Sequence, residues 1–226
     1  MTVCYAPCPV VFDLDGTLID SAPDIHAAVN AVLRDEGVQP LTLDRVRGFI
    51  GGGVEVLWHR IIEATGLPQT RYRDLLAAFM ARYRRSTSLT RFYPGVLDAL
   101  NVLADRGHPM GICTNKPADP TQAVLAHMGI AEYFATVVAG DSLPQHKPHP
   151  APLRMALQAL GAAPENPKAI YVGDSEVDAE TAAAVPVPLM LFTGGYRHTP
   201  LEQLPHHAAF DDFSALPALI EQMVTA

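Results

Sequence analysis

Residues 9–18 read Pro9-Val10-Val11-Phe12-Asp13-Leu14-Asp15-Gly16-Thr17-Leu18. The short β-branched and aromatic run after a proline predicts a buried strand, and the polar, glycine-containing turn behind it predicts a functional loop. Two carboxylates one residue apart can converge on one centre if the strand ends between them, because the turn re-aims the second side chain and Gly16 permits that turn. In open α/β sheets, sites lie at the carboxyl ends of strands. Taken alone, however, the pair reads better as a solvated acidic turn.

Downstream of this stretch, helical periodicity begins with Pro23 near the first helical position, continues through Ile25, Ala28, Val29, Val32 and Leu33, and stops at Gly37. A second amphipathic segment carries Val54, Leu57, Trp58, Ile61 and Ile62 and ends near Gly66. A third carries Leu75, Leu76, Phe79, Met80 and Tyr83. No strand pattern interrupts residues 21 to 90. After Tyr93-Pro94-Gly95 the pattern alternates: helix around Leu97–Leu103, strand Met110–Thr114, helix Val124–Met128, strand Thr136–Ala139, helix Leu153–Leu160, strand Ala169–Gly173, a further helix, and strand Leu189–Phe192. Such alternation predicts an α/β fold: a doubly wound, Rossmann-like parallel sheet covered on both faces, with a helical cap domain inserted after the first strand. The expected division is residues 1–20 and 91–226 for the core and 21–90 for the cap.

The composition suits this fold. The 226 residues are 49% hydrophobic and 18% charged, which excludes a disordered chain or a charged coiled coil. Sixteen basic against 24 acidic side chains, net −8, argue against nucleic acid and against an anionic membrane surface as partners. No apolar run approaches a membrane span. Three cysteines, Cys4, Cys8 and Cys113, show neither a disulfide framework nor a zinc pattern, so the expected compartment is the reducing cytoplasm.

The other strand ends decide between the two readings of Asp13 and Asp15. One predicted strand ends in Thr114-Asn115-Lys116, a later loop carries Lys147-Pro148, and another strand runs into Gly173-Asp174-Ser175 with Asp178 beyond. Carboxylates, a hydroxyl, an amide and a lysine thus recur at one edge of one sheet. These residues resemble the four motifs, in order, of the haloacid dehalogenase superfamily of phosphatases. Asp20-Ser21-Ala22-Pro23-Asp24, Gly140-Asp141-Ser142-Leu143-Pro144-Gln145 and Tyr171-Val172-Gly173-Asp174-Ser175-Glu176-Val177-Asp178 are similar to its bacterial phosphoglycolate phosphatase branch.

The resemblance implies that Asp13 is the nucleophile that forms a transient aspartyl-phosphate. It implies that Asp15 is the general acid and then the general base. It places Mg²⁺ on Asp13, Asp174 and the backbone carbonyl of Asp15, oxygen donors that suit a hard cation. Thr114 and Asn115 would donate to phosphoryl oxygens, Lys147 would neutralise phosphoryl charge, and Thr17 would support the ligands from behind. Asp178 reads either as a second support, holding Lys147 or a metal-bound water, or as a surface acid on the first helical turn. The implied partner is a small phosphate ester, 2-phosphoglycolate first, with another small ester or a phosphomutase reaction as alternatives. A phosphonate-cleaving relative would need a cap lysine, and residues 21–90 contain none. A receiver-type signalling domain would have neither the Asp-x-Asp-Gly-Thr turn nor the long helical insertion.

The remaining features weigh less. His146, His149, His198, His206 and His207 sit in proline-rich loops and read as solvated. Cys113 reads as a small buried hydrophobe. Lys116, beside a loop proline, reads as exposed. Gly51-Gly52-Gly53 is weak as a phosphate loop, but in the resembling family such a cap turn faces the active site and shapes substrate choice. At Pro186 a glycine helix stop is expected, and proline opposes the positive φ of such a stop. Charge divides unevenly, +2 over residues 21–90 and −10 elsewhere, so cap arginines are expected to help meet an anionic substrate.

Overall fold

A computed structural model describes residues 7–163 and 168–225; Cys4 lies outside the described residues. The first strand, β1, spans Val10–Phe12. Val10 and Phe12 pack on one face of the sheet and Val11 on the other, the two-residue period of a strand covered on both sides. β1 pairs in parallel with β4 (Met110–Cys113) and with β6 (Ile170–Gly173). β5 (Phe134–Val138), β7 (Leu189–Phe192) and β8 (Ala208–Phe210) extend the sheet to the order β5-β4-β1-β6-β7-β8. From β1 the chain winds outward through β4 and β5, then returns to the other side for β6, β7 and β8. The carboxyl ends of β1, β4 and β6 therefore meet at the switch point, where an open sheet leaves a crevice.

Helices α5 (Val96–Asp105), α6 (Ala118–Met128) and α9 (Leu216–Thr225) contribute to the core on the Val10/Phe12 face. Helices α7 (Ala151–Ala159) and α8 (Glu176–Ala184) close the Val11 face. This is the expected doubly wound α/β core.

Four helices, α1 (Ala22–Asp35), α2 (Leu43–Arg47), α3 (Gly53–Thr65) and α4 (Tyr72–Tyr83), lie between two short strands, β2 (Ile19–Asp20) and β3 (Arg91–Phe92). They have their own apolar core around Trp58 and Phe79, whose rings meet edge to face at 5.7 Å. Each such fully buried side chain contributes about 1.5–3 kcal/mol relative to exposure. β2 and β3 pair antiparallel, Ile19 with Phe92 and Asp20 with Arg91, so the outgoing and returning chain run side by side.

The structure adds α2, the β2–β3 ribbon, β8 and the ten-residue α9 to the elements expected from the sequence. The shorter ones exist because a neighbour completes them: Met190 and Phe192 supply the register for β8, and the Thr42 hydroxyl caps α2 by accepting from the Arg45 N–H. Strand β5 begins at Phe134 rather than Thr136, where a single helical turn over Ala131–Tyr133 delivers the chain to the sheet edge. Helix α8 has its C-cap at Val185, and Pro186 follows where a glycine stop is expected.

Candidate functional site

The Asp13 N–H donates to Val172 O, 2.8 Å, which fixes the end of β1 against β6. The chain then turns sharply: the N–H groups of Thr17, Leu18 and Ile19 all point at Leu14 O, and Gly16 returns its N–H to Ile19 O. Gly16 has φ of +91°, and a β-carbon there would sit 2.6 Å from Asp174 Oδ2 and 2.8 Å from the Tyr196 ring. Only glycine lets this turn lie against Asp174. The turn places Asp13 and Asp15 in the same crevice, and both line the two cavities found there.

Lys147 is the hub of the buried side. Its ammonium is 2.8 Å from Asp13 Oδ1, 2.8 Å from Asp178 Oδ1 and 2.8 Å from the Tyr171 hydroxyl, so its three hydrogens each have an acceptor. Asp178 is fully buried, which overturns the surface-acid reading. Its Oδ1 also accepts from the Tyr171 hydroxyl at 2.7 Å, while Oδ2 accepts from the Ser175 hydroxyl and from the Asp174 and Ser175 N–H groups. The same contacts form a capping box at the start of α8, which is why an acid belongs on that first turn. Thr17 donates to Asp174 Oδ1 at 2.8 Å, and the Tyr196 N–H donates to Oδ2 at 2.6 Å. Gly195 permits that approach, since a β-carbon there would overlap the Asp174 carboxylate.

Asp13, Asp174 and Asp178 each offer an oxygen within 4.8 Å of the others, a cluster that could hold a metal ion. Burial pushes the Asp13 carboxyl up to about 7, against the pull of Lys147. Burial, then the neighbouring Asp178 and Asp13, holds Asp174 well above the ordinary carboxylate range. Asp178 is held below it: burial opposes ionisation, but Lys147, Tyr171 and Ser175 outweigh it. Three clustered carboxylates face one ammonium, so full ionisation leaves excess negative charge that a divalent cation would complement. Asp178 already accepts five hydrogen bonds, which leaves Asp13 and Asp174 as the side chains best able to turn an oxygen to an ion.

On the open side, Asp15 Oδ1 accepts from the Ser21 hydroxyl at 2.5 Å. The Lys116 ammonium lies 3.0 and 3.1 Å from the two Asp15 oxygens and donates to the Tyr83 hydroxyl on α4. Lys116 is buried, which corrects the expectation of an exposed loop lysine. The reason is tertiary: α4 folds over the end of β4 and supplies the phenol. Despite burial, Asp15 and Tyr83 carry the Lys116 ammonium above the usual lysine range.

Thr114 is buried and its hydroxyl accepts from the Lys116 N–H at 3.2 Å. Asn115 acts as a clamp. Its amide nitrogen donates to Gly51 O at 3.1 Å and Lys147 O at 3.0 Å, and its Oδ1 accepts from the Lys147 N–H at 2.9 Å. Both amide hydrogens are thus engaged by backbone, so the Asn115 side chain is not free to donate to a phosphoryl group in this arrangement. Gly51 and Gly53 line the cavity over Asp13, Asp15, Thr114 and Lys116, and Gly52 lines the adjoining one with Lys147 and Asp174. The five loop histidines are all exposed, and burial pushes the Cys113 thiol up to about 12, an inert sulfur.

Sequence reasoning missed Tyr83, Tyr171 and Tyr196. Tyr83 sits on an apolar helical stripe and Tyr171 on a buried strand, where an aromatic reads as core, and Tyr196 lies in the loop after β7; only the fold brings their hydroxyls or backbone to an ionised group. Four of the nine arginines in residues 21–90 are held in ion pairs away from this site. Arg47 pairs with Asp20, Arg71 with Glu36, Arg82 with Asp35 and Arg84 with Asp119.

Comparison with known proteins agrees with this geometry. A family model described as haloacid dehalogenase-like hydrolase matches residues 10–192. A phosphoglycolate phosphatase of Cereibacter sphaeroides (strain ATCC 17029) is 48% identical over 218 residues, 95% of this chain and 98% of that protein. One from Rhodospirillum rubrum is 41% identical over 217 residues, 93% and 89% of the two chains. The crystal structure of a predicted phosphoglycolate phosphatase from Haemophilus somnus 129PT superposes with a TM-score of 0.88 at 30% identity, covering 94% of this chain and 97% of that one.

Proposed function

The chain belongs to the haloacid dehalogenase-like hydrolases, and on that premise we propose that it is a Mg²⁺-dependent phosphomonoesterase converting 2-phosphoglycolate to glycolate and phosphate. The observation that carries the reading is the separation of the two acids of one turn: Asp13 faces the buried Lys147–Asp174–Asp178 cluster, whereas Asp15 faces the open cavity. Phosphatases named for this substrate, 41–48% identical over nearly the whole chain, support its choice.

In this reading an Asp13 oxygen attacks phosphorus, forming an aspartyl-phosphate as the ester P–O bond breaks. Asp15 gives its proton to the leaving oxygen, then takes one from the water that attacks the acyl phosphate in the second step. Lys147, locked between Asp13 and Asp178, keeps the nucleophile aimed and offsets charge on the phosphoryl oxygens. The Thr114 hydroxyl, already accepting from Lys116, has its own hydrogen for a phosphoryl oxygen, and Asn115 would contribute its backbone N–H rather than its amide. Asp13, Asp174 and the Asp15 carbonyl would hold Mg²⁺, which supplies the positive charge that lets a carboxylate approach a phosphate dianion. Thr17 and Asp178 support these groups from behind.

Residues 21–90 form the cap in this proposal, and its Gly51-Gly52-Gly53 turn shapes the entrance. The protein works in the cytoplasm, a placement that fits buried free thiols at Cys8 and Cys113. No helix among the described residues is long and apolar enough to cross a membrane.

Purified protein is expected to release phosphate from 2-phosphoglycolate with Mg²⁺, to stop on chelation, and to restart when Mg²⁺ is returned. Comparable catalytic efficiency across a panel of sugar phosphates would overturn the substrate assignment.

A further inference from the structure

Above Asp13 and Asp15 lies a cleft partly open to solvent. Its cap side is apolar, built from Ile25, Ile50, Val54 and Leu57, and its floor carries Asp13, Asp15 and Thr114. Among the residues that line it, Lys116 is the one cation. Lys147 lines the neighbouring cavity, where it pairs with Asp13 and Asp178, whereas Lys116 donates to both Asp15 oxygens and to Tyr83 on the wall of this one. Four of the nine arginines in residues 21–90 form ion pairs with Asp20, Glu36, Asp35 and Asp119, and Arg60, in the neighbouring cavity, is exposed with a guanidinium hydrogen bond to Phe49 O. A substrate bearing a second anionic group next to its phosphoryl group therefore meets a single ammonium in this cavity.

We propose that Lys116, oriented by Tyr83, binds the carboxylate of the substrate and so selects a short phosphorylated acid over a neutral phosphate ester. This rests on the phosphatase reading above and adds the residues that choose the substrate. The geometry suits the task. The Lys116 side chain is 3% exposed, so an ion pair formed there is desolvated and weakly screened. Its ring contact and hydrogen bond with Tyr83 fix the ammonium from the cap side, 4.6 Å over the ring. The remaining partner, Asp15, is itself a carboxylate on the cavity wall, which shows that the ammonium accepts a carboxylate from the open side. Because Tyr83 belongs to α4 and Lys116 follows β4, carboxylate binding also ties the cap to the core over the reacting groups.

The test compares 2-phosphoglycolate with 2-hydroxyethyl phosphate, its neutral counterpart with CH₂OH in place of the carboxylate. In the native protein kcat/KM should favour 2-phosphoglycolate. In Lys116→Met that preference should shrink about tenfold to a hundredfold, the loss of one charge-assisted hydrogen bond, mainly through KM for the acid. Lys116→Arg should restore part of it, and Arg60→Ala should leave it unchanged. Equal loss on both esters would show that Lys116 acts only through Asp15 and would overturn the proposal, as would a selectivity that follows Arg60. If Lys116→Met fails to fold, Lys116→Gln and Tyr83→Phe are read by the same ratio. Failure of the underlying phosphatase reading is distinct: the native protein would then hydrolyse neither ester.

Discussion

Asp13 and Asp178 lie on either side of the same ammonium and respond to ionisation in opposite ways. Burial makes the charged form of Asp13 costly, whereas Asp178 is held in its charged form by Lys147, Tyr171 and Ser175. Asp13→Asn should therefore abolish turnover, by about four orders of magnitude or more as expected for a lost nucleophile. Melted at pH 8 without metal, the variant should be no less stable than the native protein. Asp178→Asn leaves Lys147 poorly compensated in the interior and should cost about 3–5 kcal/mol, on the order of 10 °C in Tm at this chain length. A pair of thermal melts separates the two; equal destabilisation by both would contradict the assignment of Asp178 as the structural partner of Lys147.

Helix α1 starts immediately after the β2–β3 ribbon, and its first turn carries Asp24, only 1% exposed. This carboxylate accepts from the Ser86 hydroxyl, the Leu89 N–H and the Thr90 hydroxyl, so it stitches the outgoing helix to the returning chain. Tyr196, from the loop after β7, completes the junction by accepting from the Ser21 and Ala22 N–H groups and donating to Asp20. Removing the carboxylate with Asp24→Ala leaves three donors unsatisfied, at about 1–3 kcal/mol for the first buried one and less for groups that reach water. The expected result is a Tm lower by several degrees and faster proteolysis within residues 84–92. Unchanged proteolysis would mean that the junction does not depend on Asp24.

For the whole molecule the raised carboxyls set a pH dependence. A carboxyl whose folded value exceeds its unfolded value destabilises the native state as pH rises between the two, because the unfolded chain releases its proton first. For Asp13 that window runs from the ordinary aspartate value of 3.8 to about 7, and Asp174 shifts in the same direction. Metal-free protein should thus lose stability from this pair over that interval. Mg²⁺ competes with the same protons, so its stabilising effect should be larger at pH 8 than at pH 5.5. Thermal melts with Mg²⁺ and with chelator at the two pH values measure this, and a Mg²⁺ shift that shrinks as pH rises would refute a carboxylate site.

Val10-Val11-Phe12 followed by Asp-x-Asp-Gly, with further polar groups after Cys113 and Val172, was enough to place the acids at one sheet edge. A strand buried on both faces needs an uninterrupted apolar run, and the site must follow where that run ends. The helical insertion was legible for the same reason, because amphipathic periods longer than ten residues survive without knowledge of their neighbours. The elements β2, β3, β8 and α2 were not, since they depend on pairing or capping rather than on a period, and the C-terminal α9 was missed as well.

Local sequence therefore determined which residue types stand at the strand ends, and with them the class of fold and the chemistry open to it. Tertiary structure alone decided the partners: that Asp178 is buried under Lys147, that Asn115 spends its amide on two backbone carbonyls, and that Lys116 rather than a cap arginine is the cation facing the open cavity. The physical reason is that ionised side chains are placed by whichever distant group compensates their burial. Tyr83 is 33 positions from Lys116, and Tyr171 is 24 from Lys147. No local pattern encodes such pairs.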